Sequence, residues 1–381
     1  LTNVKTWRGA TLLLAALTLA GCGLEHQILG GGDDQNAALG QTAARPTVFG
    51  IAVADEPQAA LAAQTILNNG GNAADAAAAA GFVLSVTLPS RASLGGGGAC
   101  LIKMPGQPAT ALEFSAPAPA SPGGARPAAV PTLARGLLAL QARYGQLPFP
   151  QTIVPAERLA SASAVSPAFE ADLQIVGPAI LADPAAESVF GPTGKILPAL
   201  SELSQPDLAT TLEILRAQGV NGFYSGAFAT TFLAGAKQAG ALLTSSDLAR
   251  TVPRFTAPAV DGGTVSLPTP PKTSPSPATA SFAVLDRNGG AVACATSLNN
   301  LFGTGRIAPG TGILLAASPA AHPAPILAAT MSIVGDNVSA ITTGTGAGAI
   351  SRRNSITCPG GQASCTATAD PNGQGLAVGN R

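Results

Sequence analysis

An α+β fold is what the sequence predicts, with strands and helices kept in separate stretches of the chain. Three observations predict it. Apolar runs of strand length flank a tight glycine turn in "SFAVLDRNGGAVACATS" (281–297), the pattern of an antiparallel hairpin. Residues 131–250 read as mainly helical, punctuated by capping residues and prolines. The two kinds of element come in blocks and do not alternate as strict βαβ units.

Taken in order, the pattern becomes regular from Thr47. "VFGIAVADEP" (48–57) predicts a short strand and a turn in which Asp55 caps the following helix. "QAALAAQTILNNGGNAADAAAAAGFVLSVTLPS" (58–90) predicts two helices broken at Gly70-Gly71, with Leu61, Thr65 and Leu67 near one face of the first. The second is nearly all alanine from Ala73, so a sheet or helix can approach it closely. "SLGGGGACLIKM" (93–104) predicts a glycine turn feeding a strand, and "ATALEFSAPAPAS" (109–121) continues the meander. Within the helical stretch, caps and breaks fall at "SPAFEADL" and "SQPDLATTLEILRAQG", and "GALLTSSDLAR" (240–250) is a Ser/Thr-capped turn entering a short helix. Proline-dense "LPTPPKTSPSPA" (267–278) suits neither a helix nor a sheet interior. Strands follow near 280–286, 290–297, 312–316, 331–335, 338–343 and 374–378.

The chain's 381 residues suffice for one large domain or two ordinary ones. Charged residues make up 10%, against about 25% in ordinary globular chains, and 20 basic residues balance 20 acidic ones. With no basic stripe and 4% aromatics, nucleic acid is not an expected partner. The only histidines are His26 and His322, and there is no Cys-x-x-Cys pair, so neither a metal nor a cofactor is expected. At the N-terminus, Lys5 and Arg8 precede the apolar run "TLLLAALTLA" (11–20), which ends in "LAGC". This resembles a bacterial lipobox and implies a signal peptide over 1–21, a lipid on Cys22 and a flexible tether over 22–45. An ordinary secretory signal with an incidental cysteine is the alternative. Gly23 is not an acidic retention residue, so the expectation is a lipid-anchored protein on the periplasmic side of a bacterial envelope, at the outer membrane before the inner. Cys358 and Cys365, in "CPGGQASC", are candidates for a small disulfide in that oxidising setting. For Cys100 and Cys294, buried thiols and a bridge between strands are equally open.

Seven stretches recur in this order: "ADEPQAALAAQTILNNGGNAADAAAAAGFVLSVTLPS", "LGGGGACLI", "TALEFSAPAPA", "GLLALQARYGQLPF", "GALLTSSDLA", "TASFAVLDRNGGAVACATSLNNLFGTG" and "PGTGILL". In them the chain resembles the gamma-glutamyltranspeptidase family from about residue 50 to 316. The resemblance implies the αββα sandwich of N-terminal nucleophile hydrolases, which cut their own chain before a nucleophilic threonine. By register with "ASFAVLD" that residue is Thr279, the cut falls between Ala278 and Thr279, and the body divides into a large-subunit-like region, 46–278, and a small-subunit-like region, 279–381. The chemistry is sound for this composition. A threonine hydroxyl needs a base, histidine is almost absent, and a threonine at a new N-terminus carries its own α-amine with a pKa near 8.

The same resemblance implies that Ser297 hydrogen-bonds the nucleophile, that Asn299 holds the donor's polar end, and that Ala347 and Gly348 offer backbone N–H groups to an oxyanion. Read as residues alone, these remain a strand hydroxyl, a turn former and a tight turn. Several departures bear on the substrate. Ser115 stands where the family has an arginine that clamps a carboxylate, Ala321 where it has an acid, and Ser318 where it has a glutamine. Its paired serines fall near Leu327 and Ala328, and the segments before Thr279 and after Arg353 are short. The implied function is a gamma-glutamyltransferase- or hydrolase-like, self-processing amidase acting on a small-molecule or peptide amide other than a plain γ-glutamyl one. The alternative is a non-catalytic, uncut envelope lipoprotein that binds peptides or a partner in the former cleft.

Overall fold

The structure is a computed structural model, and it describes residues 43–44, 49–268, 278–321, 325, 327–345, 352–371 and 373–379. The expectations on Cys22, on the signal peptide and on Ala347 and Gly348 lie outside these residues, as do both histidines. All described residues belong to one compact unit, 38–381.

In chain order the first elements are β1 (Ala43–Ala44), β2 (Gly50–Ala54), α1 (Pro57–Asn68), α2 (Ala73–Thr87), β3 (Gly97–Lys103) and β4 (Thr110–Phe114). The helical stretch holds α3 (Leu133–Tyr144), α4 (Phe149–Ser161), α5 (Pro167–Leu181), α6 (Pro184–Phe190), α7 (Pro206–Tyr224), α8 (Gly226–Gln238) and α9 (Ser245–Arg250), with the small pair β5 (Ser163–Ala164) and β6 (Glu202–Leu203) among them. Three short strands follow, β7 (Arg254–Thr256), β8 (Ala259–Asp261) and β9 (Thr264–Ser266). The remainder is β10 (Thr279–Asp286), β11 (Ala291–Ser297), β12 (Ile307–Ala308), β13 (Ile313–Leu314), β14 (Leu327–Val334), β15 (Asn337–Thr345), β16 (Arg352–Thr357), β17 (Thr366–Thr368) and β18 (Leu376–Val378).

Two seven-stranded antiparallel sheets form the centre. The first runs β18-β2-β10-β11-β3-β4-β7 and the second β1-β17-β16-β15-β14-β9-β8. Side chains alternate across each strand, and the inward set of the first sheet (Ile51, Val53, Leu101, Ala283, Leu285, Ala293) packs on Met331, Val338, Ile341 and Ile356 of the second. Alanine at many of these positions lets the sheets lie close. The outer face of the first sheet is covered by α1 and α2, and all fifteen residues of α2 are buried. Its start is fixed by a reciprocal capping box in which the Asn72 side chain accepts from the backbone of Ala74 and Asp75 while Asp75 accepts from Asn72 N. The α+β class and the paired sheets are as the sequence predicts. On the second sheet, the outward residues Thr330, Ser332, Thr342 and Ser355 are only partly buried.

Both candidate bridges exist. Cys100 and Cys294 are direct cross-strand partners on β3 and β11, with Cα atoms 4.1 Å apart, and Cys358 pairs with Cys365. Register decides what composition left open, because β11 pairs with β3 and sets the two thiols opposite each other.

Three expectations are corrected. The cap of α1 is Glu56, whose carboxylate accepts from Ala59 N at 3.0 Å, whereas Asp55 faces β10 and β16. Leu61, Thr65 and Leu67 do not share one face: Leu61 and Thr65 are exposed, while Leu67 is buried with Ala59, Ala60, Ala62, Ala63 and Ile66. The end of the expected tether, Ala43–Ala44, is a strand paired with β17.

Candidate active site at the Ala278–Thr279 junction

Thr279 opens β10 and is fully buried. In register it faces Ser297 on β11, which in turn faces Gly97 on β3, so all three share the inward face at one end of the first sheet. The glycines are there because the backbone passes too close for a side chain. A Cβ on Gly97 would lie 2.3 Å from Phe114 O and 2.4 Å from Ala116 N, and one on Gly98 would lie 2.5 Å from Ala295 O.

In the uncut chain, the Ser297 hydroxyl donates to the carbonyl of Ala278 at 3.0 Å and accepts from Asn299 N at 2.8 Å. It therefore holds the carbonyl of the junction peptide and not the Thr279 hydroxyl. Thr279 Oγ1 is buried and has no hydrogen-bond partner among the described residues. A buried hydroxyl left unsatisfied costs about 1–3 kcal/mol. Asn299 sits in the left-handed region with φ 63°. Its Nδ2 donates to Ala116 O at 3.1 Å and Ala317 O at 2.9 Å, tying the exit of β4 to the strand-like segment at 317. That amide nitrogen is thus committed to backbone, and the side chain's carbonyl oxygen is the group it can offer a ligand.

Two residues along β10 from Thr279, a buried polar network joins the sheets. Asp55 Oδ2 accepts from Ser281 N at 2.7 Å and from Ser281 Oγ at 3.2 Å, and Asp55 Oδ1 accepts from Asn354 Nδ2 at 2.7 Å. Thr343 Oγ1 of the second sheet donates to Ser281 Oγ at 3.1 Å. This network anchors β10 at Ser281, two residues from Thr279. Sequence reasoning missed it, since Asp55 read as a cap and the stretch holding Asn354 carried no strand pattern.

A cavity of about 10 Å³ lies beside Ser297, lined by Gly97, Gly98, Ser115, Ala116, Ser297, Asn299, Pro325 and Leu327. The structure thus brings together Ser297 and Asn299 with Ser115 and Leu327, two of the positions where the family's carboxylate-holding residues have been replaced. Ser318 is buried in a turn, its N–H donating to Pro127 O. Ala321 is exposed.

Two packed antiparallel sheets, with a candidate hydroxyl nucleophile at the head of a central strand, define the N-terminal nucleophile hydrolase class. The fold matches that of cephalosporin acylase from Bacillus halodurans with a TM-score of 0.74 at 17% identity, covering 90% of this chain and 97% of that one. The gamma-glutamyltranspeptidase family model matches residues 59–274 and 263–322, and the chain belongs to that family. Among curated relatives it is 34% identical to the glutathione hydrolase proenzyme of Pseudomonas aeruginosa over 56% of this chain and 41% of that protein. It is 31% identical to the glutathione hydrolase proenzyme of Escherichia coli over 48% of this chain and 35% of that protein. The gamma-glutamyltranspeptidase of Helicobacter pylori superposes with a TM-score of 0.52 at 28% identity, over 54% of this chain and 65% of that one. The chain thus spans well under half the length of these two curated relatives.

Proposed function

We propose that this chain is a self-processing amide hydrolase or acyltransferase whose nucleophile is Thr279. The observation that carries the reading is the contact between the Ser297 hydroxyl and the Ala278 carbonyl, with the Thr279 hydroxyl on the adjoining residue, unpartnered among the described residues. Thr279 Oγ1 attacks the Ala278 carbonyl carbon while Ser297 stabilises the charge that develops on its oxygen. The peptide C–N bond breaks, the hydroxyl proton passes to the leaving nitrogen, and an ester joins Ala278 to Thr279 Oγ1. Water hydrolyses that ester, leaving a carboxylate on Ala278 and a free amine on Thr279. The amine then serves as base for the same hydroxyl in attack on an external amide, giving an acyl-enzyme that water or an amine resolves. Ser297, released from the severed carbonyl, is free to turn to the nucleophile, and the backbone of Ala347 and Gly348 would complete the oxyanion site.

The family resemblance supports a peptide or small-molecule amide as donor. The replacements Ser115, Ala321 and Leu327 argue against a plain γ-glutamyl head group, because a carboxylate loses its strongest partner without an arginine fork. The disulfides favour an oxidising compartment, in keeping with an envelope protein carrying a lipid on Cys22.

N-terminal sequencing after reduction tests the reading: the parent yields a fragment beginning at Thr279, and Thr279→Ala does not. Ser297→Ala slows cleavage about 10²- to 10³-fold, the usual cost of one oxyanion donor. Cleavage in Thr279→Ala at the parent's rate would remove the nucleophile, and a parent that never cleaves would leave the non-catalytic binding protein.

A further inference from the structure

Beside the small cavity at Ser297 lies a groove of about 730 Å³. The two share Ser115, Ala116, Pro325 and Leu327, so the groove is continuous with the site. That volume is in the range of pockets that enclose a whole small molecule, far more than one amide needs. Its body is apolar, with Phe114, Pro117, Val252, Leu267 and Pro268 among its walls.

Among the described residues the charged lining is Arg250, Arg254 and Glu113. Arg250 ends α9, Arg254 opens β7, and both line the groove. Glu113 is the only carboxylate among the described lining residues, and it accepts from Arg254 Nη2 at 3.0 Å and from Thr256 Oγ1 at 3.1 Å. Arg250 donates through Nε to Ser246 O at 3.2 Å and through Nη2 to Asp247 at 3.3 Å. A guanidinium carries five N–H donors, and these bonds leave most of them available. Arg250 pairs with Asp247 and Arg254 with Glu113, and each guanidinium keeps N–H donors beyond that one partner, in the fork geometry that fits a planar carboxylate.

We propose that this groove takes the acyl part of the donor, an apolar chain ending in a carboxylate that Arg250 and Arg254 grip away from the reacting amide. The direction, with the amide toward Ser297, rests on the amidase reading above; the binding of the acid does not. Positive charge absent at Ser115, in the neck of the site, is supplied here by a different element on the groove wall.

Calorimetric titration of the full-length parent and of Thr279→Ala tests this, with octanedioic acid monoamide and octanamide as probes. These differ in whether the chain ends in a carboxylate or a methyl group. The acid-terminated amide is expected to bind about 10- to 100-fold more tightly than octanamide to both proteins, the worth of a charged hydrogen-bonded pair. Arg250→Gln and Arg254→Gln should each shrink that ratio, and Arg254→Lys should retain part of it. Both side chains are more than half exposed, so the variants are expected to fold. Equal affinity for the two probes, no binding of the acid, or a ratio unmoved in both glutamine variants would overturn the proposal. If the acid binds Thr279→Ala as expected and the parent never self-cleaves, the amidase reading fails and the groove assignment stands. A parent that cleaves without preferring the acid sinks the groove assignment alone.

Discussion

The two sheets share one core and differ in what their outer faces meet. The first lies under α1 and α2, with α2 buried along its whole length, and a disulfide ties its strands β3 and β11 across the helix-covered face. The second turns small hydroxyl side chains outward and is tied only by a bridge within one loop, Cys358 to Cys365. A sheet with one polar face is stable in water when its other face is buried. The difference teaches where chemistry can be kept and where recognition can drift. Thr279, Ser297 and Gly97 sit on strands immobilised from both sides, as the nucleophile proposed at Thr279 would require. The positions that would grip a substrate, Ser115 and Leu327, sit at the ends of strands, where replacement leaves the core untouched.

The largest expected effect separates the two bridges. In the uncut Thr279→Ala background, Cys100–Cys294 closes 194 residues and Cys358–Cys365 closes 7. Loop entropy then assigns about 5 kcal/mol to the first and about 2.5 kcal/mol to the second. Denaturant unfolding of the two double-alanine variants measures the difference, and equal losses would break the comparison.

Packing contrasts come next. Leu101, fully buried between the sheets, should cost about 2–5 kcal/mol as Leu101→Ala. Thr342→Ala, on the partly exposed outer face of β15, should stay within about 0.5 kcal/mol of the parent. A large loss at Thr342 would mean that this face is covered.

The smallest effect is one of pH. Burial raises the carboxyl of Glu56, which sits under α1 and α2, although Thr87 Oγ1 donates to it at 2.8 Å. Because the folded pKa lies above the unfolded one, the group favours folding fully below the ordinary carboxylate range, and that contribution is lost as pH rises through the raised value. The melting temperature of Glu56→Gln relative to the parent should therefore rise between pH 4 and pH 8. A difference that is the same at both pH values would contradict this.

The legible parts of the sequence were those where apolar spacing and burial coincide: the hairpin of β10 and β11, the alanine helix α2 and the glycine turn before β3. Elsewhere other forces decide. Alanines bury one face of α1 and leave Leu61 outside, against its hydrophobicity. β16, "RRNSIT", has no strand pattern because its inward Asn354 is paid for by Asp55 and not by apolar contact. Of the site, the sequence named Thr279, Ser297 and Asn299, but only register shows that Ser297 reaches the Ala278 carbonyl. The place of Arg254 in the groove depends on β7 pairing with β4, a tertiary fact with no local signature.

The central claim is that the chain cuts itself at Thr279 while remaining one covalent molecule. Cys100 precedes the junction and Cys294 follows it, so their disulfide would bridge the two products. Intact mass before and after reduction measures this directly. One species heavier than the uncut chain by one water is expected before reduction, and two fragments after it, the smaller beginning at Thr279. A single chain of uncut mass under both conditions would contradict it.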